Sequence, residues 1–433
     1  MGGFLDGVHP FFFLLQRYYI KRVITKTIRV MIEKSSEVFE PWNGFVQATD
    51  FANVYPMINE TILSAEDWDD SRDGKVKEIL DFKTTILNPY RKLVGGQKRN
   101  INVFFLLAEA MWIFTGHKDV HFLTLFNKKM ADFSDDGVVF HAPYGFRLRH
   151  WGVRSEDKFV EENMHAAQGY DQVADAIRIF QNNPNSRQVV MMIWNPDFDL
   201  GTNTKDIPCN DCVMMKIRNG KLYTTIQNRS NDLHWGLPTN IFQFGFLSEI
   251  MANILGVKLG TQTHNSQSLH IYDWNTAATT MHEEWNAGNR KTLYRLSGVR
   301  EIPMDFKFSH EVPVNRLCEV NVMLERMIAC LTRVAEGDMP RREEINDFLN
   351  QSRWFACVYR LLEIYLIYKR EISRPDFQKE WKSDEAMMAL TAVENHLQEY
   401  GAMDWDIGVM ARNFFANKIK NYSNSEMKEM GNL

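Results

Sequence analysis

The sequence predicts an α/β domain followed by an all-helical C-terminal extension, and three observations carry that expectation. Gln188-Val189-Val190-Met191-Met192-Ile193-Trp194 is a β-prone run, and two further runs flank Asn219-Gly220, a dipeptide that favours a tight hairpin. After Asn240 the spacing changes to helical, with Ile241, Phe244, Leu247, Ile250, Met251 and Ile254 on one face and Gly256 as a stop. From Pro313 onward the pattern is helical throughout, as Leu317, Val320, Leu324, Met327, Ile328 and Leu331 show.

Taken in chain order, the first segment is an N-terminal appendage, residues 1–39. Its apolar run Pro10 to Leu15 is followed by Arg17, Lys21, Arg22, Lys26 and Arg29, so no span of about 20 apolar residues survives. A weak membrane-surface helix or a poor signal sequence is the alternative reading, and Met31 is a second possible start. A catalytic domain is expected over residues 40–312. Its front part holds a buried helix from Val103 to Gly116, interrupted by a lone carboxylate, Glu109, beside Trp112, and ends in the acidic turn Ser134-Asp135-Asp136-Gly137. The strand runs and the helix after Asn240 follow. The extension, residues 313–433, is broken once, at Met339-Pro340-Arg341-Arg342, and is expected to pack on the body because no flexible linker precedes it.

Charge and cysteine content narrow the class of function. The chain has 433 residues, of which 45% are hydrophobic, so a large core is possible. Its 50 Lys+Arg against 55 Asp+Glu give a net charge of -5, which provides no general attraction for nucleic acid and leaves anion binding to local sites. A small phosphorylated ligand suits this balance, with no nucleic acid and no membrane as partner. Five cysteines, an odd number without framework spacing, predict a reducing compartment, the cytoplasm.

The chemistry centres on Cys209 in Ile207-Pro208-Cys209-Asn210. A cysteine is most often a small buried hydrophobe, but this one follows a proline and precedes a hairpin that ends in Asn228-Arg229-Ser230-Asn231-Asp232. C5 of a pyrimidine becomes nucleophilic once a thiolate adds to C6, and Arg229, folded back beside Cys209, would favour that thiolate. Cys209-Asn210-Asp211-Cys212 also reads as a redox pair or half a zinc site. Cys318, Cys330 and Cys357 provide no second C-x-x-C, so no metal is assigned and Cys212 is read as packing at a strand start.

Pro-Cys-Asn at Pro208, Asn-Arg-Ser-x-Asp at Asn228, Gly-Leu-Pro-x-Asn-Ile at Gly236 and His-x-Tyr at His270 resemble, in order and spacing, the thymidylate synthase family. The resemblance runs from about Arg72 to Tyr272. It implies a large mixed β-sheet with helices on one side, a homodimer, and 5,10-methylenetetrahydrofolate as one-carbon donor to C5 of a pyrimidine nucleoside monophosphate. Cys209 would attack C6. Arg229 and Ser230 would hold the phosphate, with Arg72 from an early loop and Arg187 from the partner subunit. Where the family has two consecutive arginines this chain has Arg187-Gln188. Asn240 would read the ring, since a carboxamide matches N3–H and O4 of uracil, so dUMP is favoured. Asp232 would organise the nucleotide and folate pocket, Asn210 would steady the ring through water, and His270 and Tyr272 would bind the sugar 3′-hydroxyl. Glu109 would relay protons to O4 and the folate, as a carboxyl raised towards neutrality can. Tyr144 would help remove the C5 proton.

The expected product is dTMP. A dUMP, dCMP or CMP hydroxymethylase is the alternative, because water in place of hydride at the exocyclic carbon gives a hydroxymethyl group. Phe126 to Phe133, comparable to the family's folate-covering stretch, lacks a tryptophan, and the short closing tail is replaced by helices. A catalytically inactive nucleotide-binding relative is the second alternative.

Overall fold

The structure is a computed structural model and describes residues 38–40, 44–64, 68–93, 101–155, 169–275, 278, 280, 283, 302–377 and 382–430. The expected appendage, apart from its last two residues, and the second start at Met31 lie outside the described residues.

Among the described residues nine strands form one mixed sheet: β1 (Val38–Glu40), β2 (Phe45–Ala48), β3 (Asp69–Ser71), β4 (Gly74–Ile86), β5 (Val190–Met192), β6 (Asn210–Arg218), β7 (Lys221–Asn228), β8 (Asn231–Asp232) and β9 (Lys258–Tyr272). Their order is β1-β2-β4-β9-β7-β6-β5, with β3 paired to β4 and β8 to β9. The β2–β4 and β7–β9 pairs are parallel, and the β4–β9 and β6–β7 pairs antiparallel. Asn219 (φ 50°) and Gly220 (φ 67°) turn the β6–β7 hairpin, as their positive φ values require in a two-residue loop.

The helices are α1 (Phe51–Leu63), α2 (Val103–Thr115), α3 (His121–Phe126), α4 (Tyr144–Arg149), α5 (Gln172–Asn182), α6 (Pro196–Asp199), α7 (Gly236–Leu255), α8 (Pro313–Glu336), α9 (Arg342–Leu349), α10 (Arg353–Glu371), α11 (Lys382–Glu399) and α12 (Asp406–Met430). Helix α2 is the expected one, started by Asn102, whose Oδ1 accepts from the Phe105 N–H at 3.2 Å, and stopped by Gly116. Helix α7 starts earlier than its apolar spacing suggests. Pro238 sits in its first turn, where a missing N–H costs nothing, so Asn240 is helical rather than in the preceding loop.

Alternation along β6 and β7 decides what covers the sheet. Val213, Met215, Ile217, Leu222 and Ile226 are buried in one core with Leu107 of α2 and Phe244 of α7. On the other face, Met214 and Tyr223 are half-buried and Lys216 is exposed. Leu317, Leu324 and Leu331 of α8, and Phe355 and Leu362 of α10, belong to that same core. Phe104 of α2 stacks on Tyr365 of α10 at 4.5 Å, so the extension packs on the body as expected. It is interrupted more often than the single break predicted: further stops fall at Asn350, after Glu371 and at Gly401. Among the described residues no helix is long and apolar enough to cross a membrane.

Candidate active site

A cavity of about 400 Å³ opens where α2, α4 and the start of α7 meet the ends of β8 and β9. Cys209, Glu109, Tyr144, Arg72, Ser230, Asp232, Asn240, His270 and Tyr272 all line it. Asn210 and Arg229 stand directly behind, and Arg187 is exposed and does not line it.

Arg229 folds back as the sequence suggests. Its Nε donates to the Pro208 carbonyl at 2.9 Å, its Nη2 to that of Ile207 at 3.1 Å, and its backbone N–H to that of Cys209 at 3.0 Å. The guanidinium pulls the Cys209 thiol downward, but burial acts more strongly and leaves it above the ordinary range. Arg229 thus favours the thiolate, as the sequence suggests, against a larger opposing effect of burial. Cys212, on β6, is half-buried and a free thiol.

Glu109 projects from α2, its accessible part facing the cavity rather than bulk water. Burial raises it to about 7, against a smaller downward pull from the hydrogen bond that Gln243 Nε2 donates to its Oε2. Tyr144 opens α4, and a Cβ on Gly145 would lie 1.9 Å from the Ile113 carbonyl oxygen, so only glycine lets α4 close on α2 and hold the phenol in place. Its hydroxyl accepts from the Cys209 N–H at 3.4 Å, and burial, Cys209 and Asp206 keep it well above the usual phenol range.

Asn240 belongs to a chain of side-chain amides. Its Nδ2 donates to Asn231 Oδ1 at 3.2 Å, and its Oδ1 accepts from Asn210 Nδ2 at 3.3 Å. Asn210 Oδ1 accepts in turn from Asn228 Nδ2, and Asn231 Nδ2 donates to Ser266 Oγ at 3.2 Å. Turning a carboxamide by half a turn exchanges donor and acceptor, and with them a uracil pattern for a cytosine one. An asparagine discriminates between these bases only when its direction is held. Here four amides run head to tail, and the buried group left without a partner among the described residues is Asn228 Oδ1. The reverse direction would strand an NH2 there, a rarer native defect than a bare carbonyl oxygen.

Asp232 Oδ1 accepts the N–H groups of His234 and Trp235 at the entry to α7, while its Oδ2 is buried with no partner among the described residues; burial raises this carboxyl. Ser230 precedes it at the cavity wall, and Arg72, in the β3–β4 turn, sits beside Asp73 at 3.3 Å. His270 and Tyr272 alternate along β9 with rings perpendicular at 5.0 Å, and burial raises Tyr272 to about 12.

Several lining residues were missed in the sequence: Asp206, Asn231, Gln243 and Trp235. Trp235 and Phe133 are both about half exposed at the cavity, at 52% and 53%, so an aromatic wall is present although Phe126 to Phe133 has no tryptophan.

A sequence model of the family described as thymidylate synthase matches residues 54–338, a span that includes every lining residue named above and α8. The chain belongs to the thymidylate synthase family. Within it, similarity is found to the deoxyuridylate hydroxymethyltransferase of Bacillus phage SP01, 42% identical over 221 residues, covering 51% of this chain and 56% of the phage protein. The deoxyuridylate hydroxymethyltransferase of Pseudomonas phage M6 is 35% identical over 207 residues, covering 47% of this chain and 54% of its own. The thymidylate synthase of Ascaris suum is 28% identical over 186 residues, covering 39% and 60%. The chain thus spans about half the length of the curated relatives it matches.

Proposed function

We propose that the protein transfers a one-carbon unit from 5,10-methylenetetrahydrofolate to C5 of dUMP, and that the product is the 5-hydroxymethyl nucleotide. The observation that carries this reading is a thiol, a carboxyl raised to about 7 and a direction-held amide on one cavity. The sequence alone favoured dTMP. Relatives named as deoxyuridylate hydroxymethyltransferases, at 42% and 35% identity, support the hydroxymethyl product, with dTMP as the second reading that the Ascaris suum relative supports.

Cys209 adds to C6, and Arg229 and Arg72 lower the cost of the thiolate. With two of its nitrogens on carbonyls, Arg229 keeps Nη1 for a phosphate, shared with Ser230 and Arg72. Asn240 reads N3–H and O4 while Asn210 supports it, and His270 and Tyr272 bind the 3′-hydroxyl. Glu109 exchanges a proton with O4 near neutrality. Tyr144, held protonated by its high pKa, assists C5 proton removal as a neutral hydroxyl. The residues present fit a folate: Trp235, Phe133 and Met130 offer an apolar, partly aromatic wall, and the unpartnered Asp232 Oδ2 suits a ring N–H. When bound, that molecule supplies the carbon.

Residues 40–312 are read as the catalytic domain, with 313–433 as a helical extension. A homodimer joined through the half-exposed sheet face would let the partner subunit's Arg187 reach the phosphate. Five free cysteines are compatible with a cytoplasmic enzyme. Incubation with 5,10-methylenetetrahydrofolate and dUMP, then dCMP, tests the proposal by nucleotide mass and dihydrofolate absorbance. A gain of CH2O without dihydrofolate supports it. A gain of CH2 with dihydrofolate establishes dTMP, and no change refutes both.

A further inference from the structure

Asp206 is a cavity-lining carboxylate that the roles above leave without a task. It stands three residues before Cys209 in the Lys205–Pro208 loop. Its Oδ2 accepts the Ala142 N–H at 2.8 Å, which ties this loop to the segment leading into Tyr144 and α4. No described residue donates to its other oxygen, and the group contributes to the electrostatics of both Cys209 and Tyr144. The remaining cavity carboxylates have other tasks in the reading above or other partners: Glu109 accepts from Gln243 of α7, Asp232 has one oxygen on the N–H groups that start α7 and its other assigned to the folate, and Asp73 pairs with Arg72.

We infer that Asp206 is the general base that delivers water to the exocyclic carbon, the step that makes the product hydroxymethyl rather than methyl. The inference rests on the hydroxymethyl reading above. In this step the water oxygen bonds to the exocyclic CH2 carbon and its proton passes to the Asp206 carboxylate. The electron pair of the C5=CH2 bond moves to re-form C5=C6, and the Cys209 S–C6 bond breaks with its pair returning to sulfur. Nothing is oxidised or reduced, and the only co-reactant is water. Two features suit the carboxylate to this. The Ala142 N–H holds one oxygen of this cavity-lining carboxylate while no described residue donates to the other, and burial, acting against that hydrogen bond and the nearby His141 and Arg147, raises its basicity above that of an ordinary surface aspartate. Reversal uses the same group: Asp206, protonated, gives its proton to the departing hydroxide.

That reversal provides a test with no folate present. Wild-type protein and 5-hydroxymethyl-dUMP in 18O-labelled water are expected to exchange label into the hydroxymethyl group, through Cys209 addition, loss of hydroxide and return of water. In the same proteins, deuterium exchange at C5 of dUMP reports Cys209 addition without any hydration step. Asp206→Asn keeps an oxygen for the Ala142 N–H, so it is expected to fold, to retain C5 exchange, and to lose 18O exchange by about a hundredfold or more, a usual scale for a missing general base. In the complete reaction its product is expected to lose hydroxymethyl nucleotide in the same proportion. Undiminished 18O exchange in Asp206→Asn overturns the inference while leaving the functional reading intact. Equal loss of both exchanges also overturns it, because a structural role would do that. Absence of C5 exchange in the wild type sinks the functional reading itself, and the inference with it.

Discussion

Replacing Asn231 by leucine, close to it in shape but unable to accept a hydrogen bond, removes one of the two amides that hold Asn240 and leaves Asn210. Asn231 is 2% exposed and accepts the Asn240 N–H at 3.2 Å. Without that acceptor the direction seen here leaves a buried N–H unpaired, a loss of about 1–3 kcal/mol. Once Asn210 and Asn228 turn with it, the reversed Asn240 sets its carbonyl oxygen rather than its N–H against the leucine, and it presents the cytosine pattern. Discrimination between dUMP and dCMP is therefore expected to fall by about five- to 150-fold, at a factor of ten per 1.4 kcal/mol. The assay is the ratio of kcat/KM for the two nucleotides, with calorimetric binding to a Cys209→Ala background as a check without chemistry. Asn231→Asp, which still accepts from Asn240, is expected to retain most of the ratio. A folded Asn231→Leu protein with an unchanged ratio, or one that loses both nucleotides equally, would refute the idea that amide direction sets base choice.

Glu109→Gln is expected to abolish turnover yet raise Tm at pH 8. With a folded value of about 7 against an ordinary 4.5, the carboxyl costs the native state nothing below the lower value and its full penalty, on the order of 3 kcal/mol, above the upper one. Thermal melts of the two proteins at pH 4 and pH 8 check this, and equal Tm differences at both would contradict it. His117, between Asp119 at 3.1 Å and Glu325 of α8 at 2.9 Å, is raised to about 9 because its hydrogen bonds and ion pairs with both outweigh burial. Its contribution to stability is present below pH 6.5 and is lost as pH rises through about 9, so wild type and Glu325→Gln are expected to melt at converging temperatures above that point. Arg187→Ala is expected to weaken nucleotide binding, and mixing it with Cys209→Ala is expected to restore activity if the arginine serves the neighbouring subunit's site; no gain on mixing would count against the shared site.

The Asn219-Gly220 turn, helix α2 and the amphipathic rows of α8 were legible because each depends on local spacing. Helix α7 was less so: Gly236-Leu237-Pro238 looks like a loop until proline is allowed in a first turn. The motif residues were readable as a group, but their couplings were not. Counted back from the turn, Asn210 would face Arg229; a register shift between Asn210 and Cys212 sets it opposite Asn228 instead and builds the amide chain. Asp206 gave no signal either, since its partner, the Ala142 N–H, is 64 residues away in sequence and its neighbours read as an ordinary loop. Likewise the net effect on Cys209 required knowing how far burial opposes Arg229.

The account stands on covalent attack by Cys209 at C6. Fluorine at C5 cannot leave as a cation, so 5-fluoro-dUMP with 5,10-methylenetetrahydrofolate should stall the reaction after carbon transfer. Intact-protein mass spectrometry is expected to show one added nucleotide and folate per chain, mapped by digestion to the Cys209 peptide and absent from Cys209→Ala. An unmodified protein, or an adduct on Cys212 or any other residue, would contradict it.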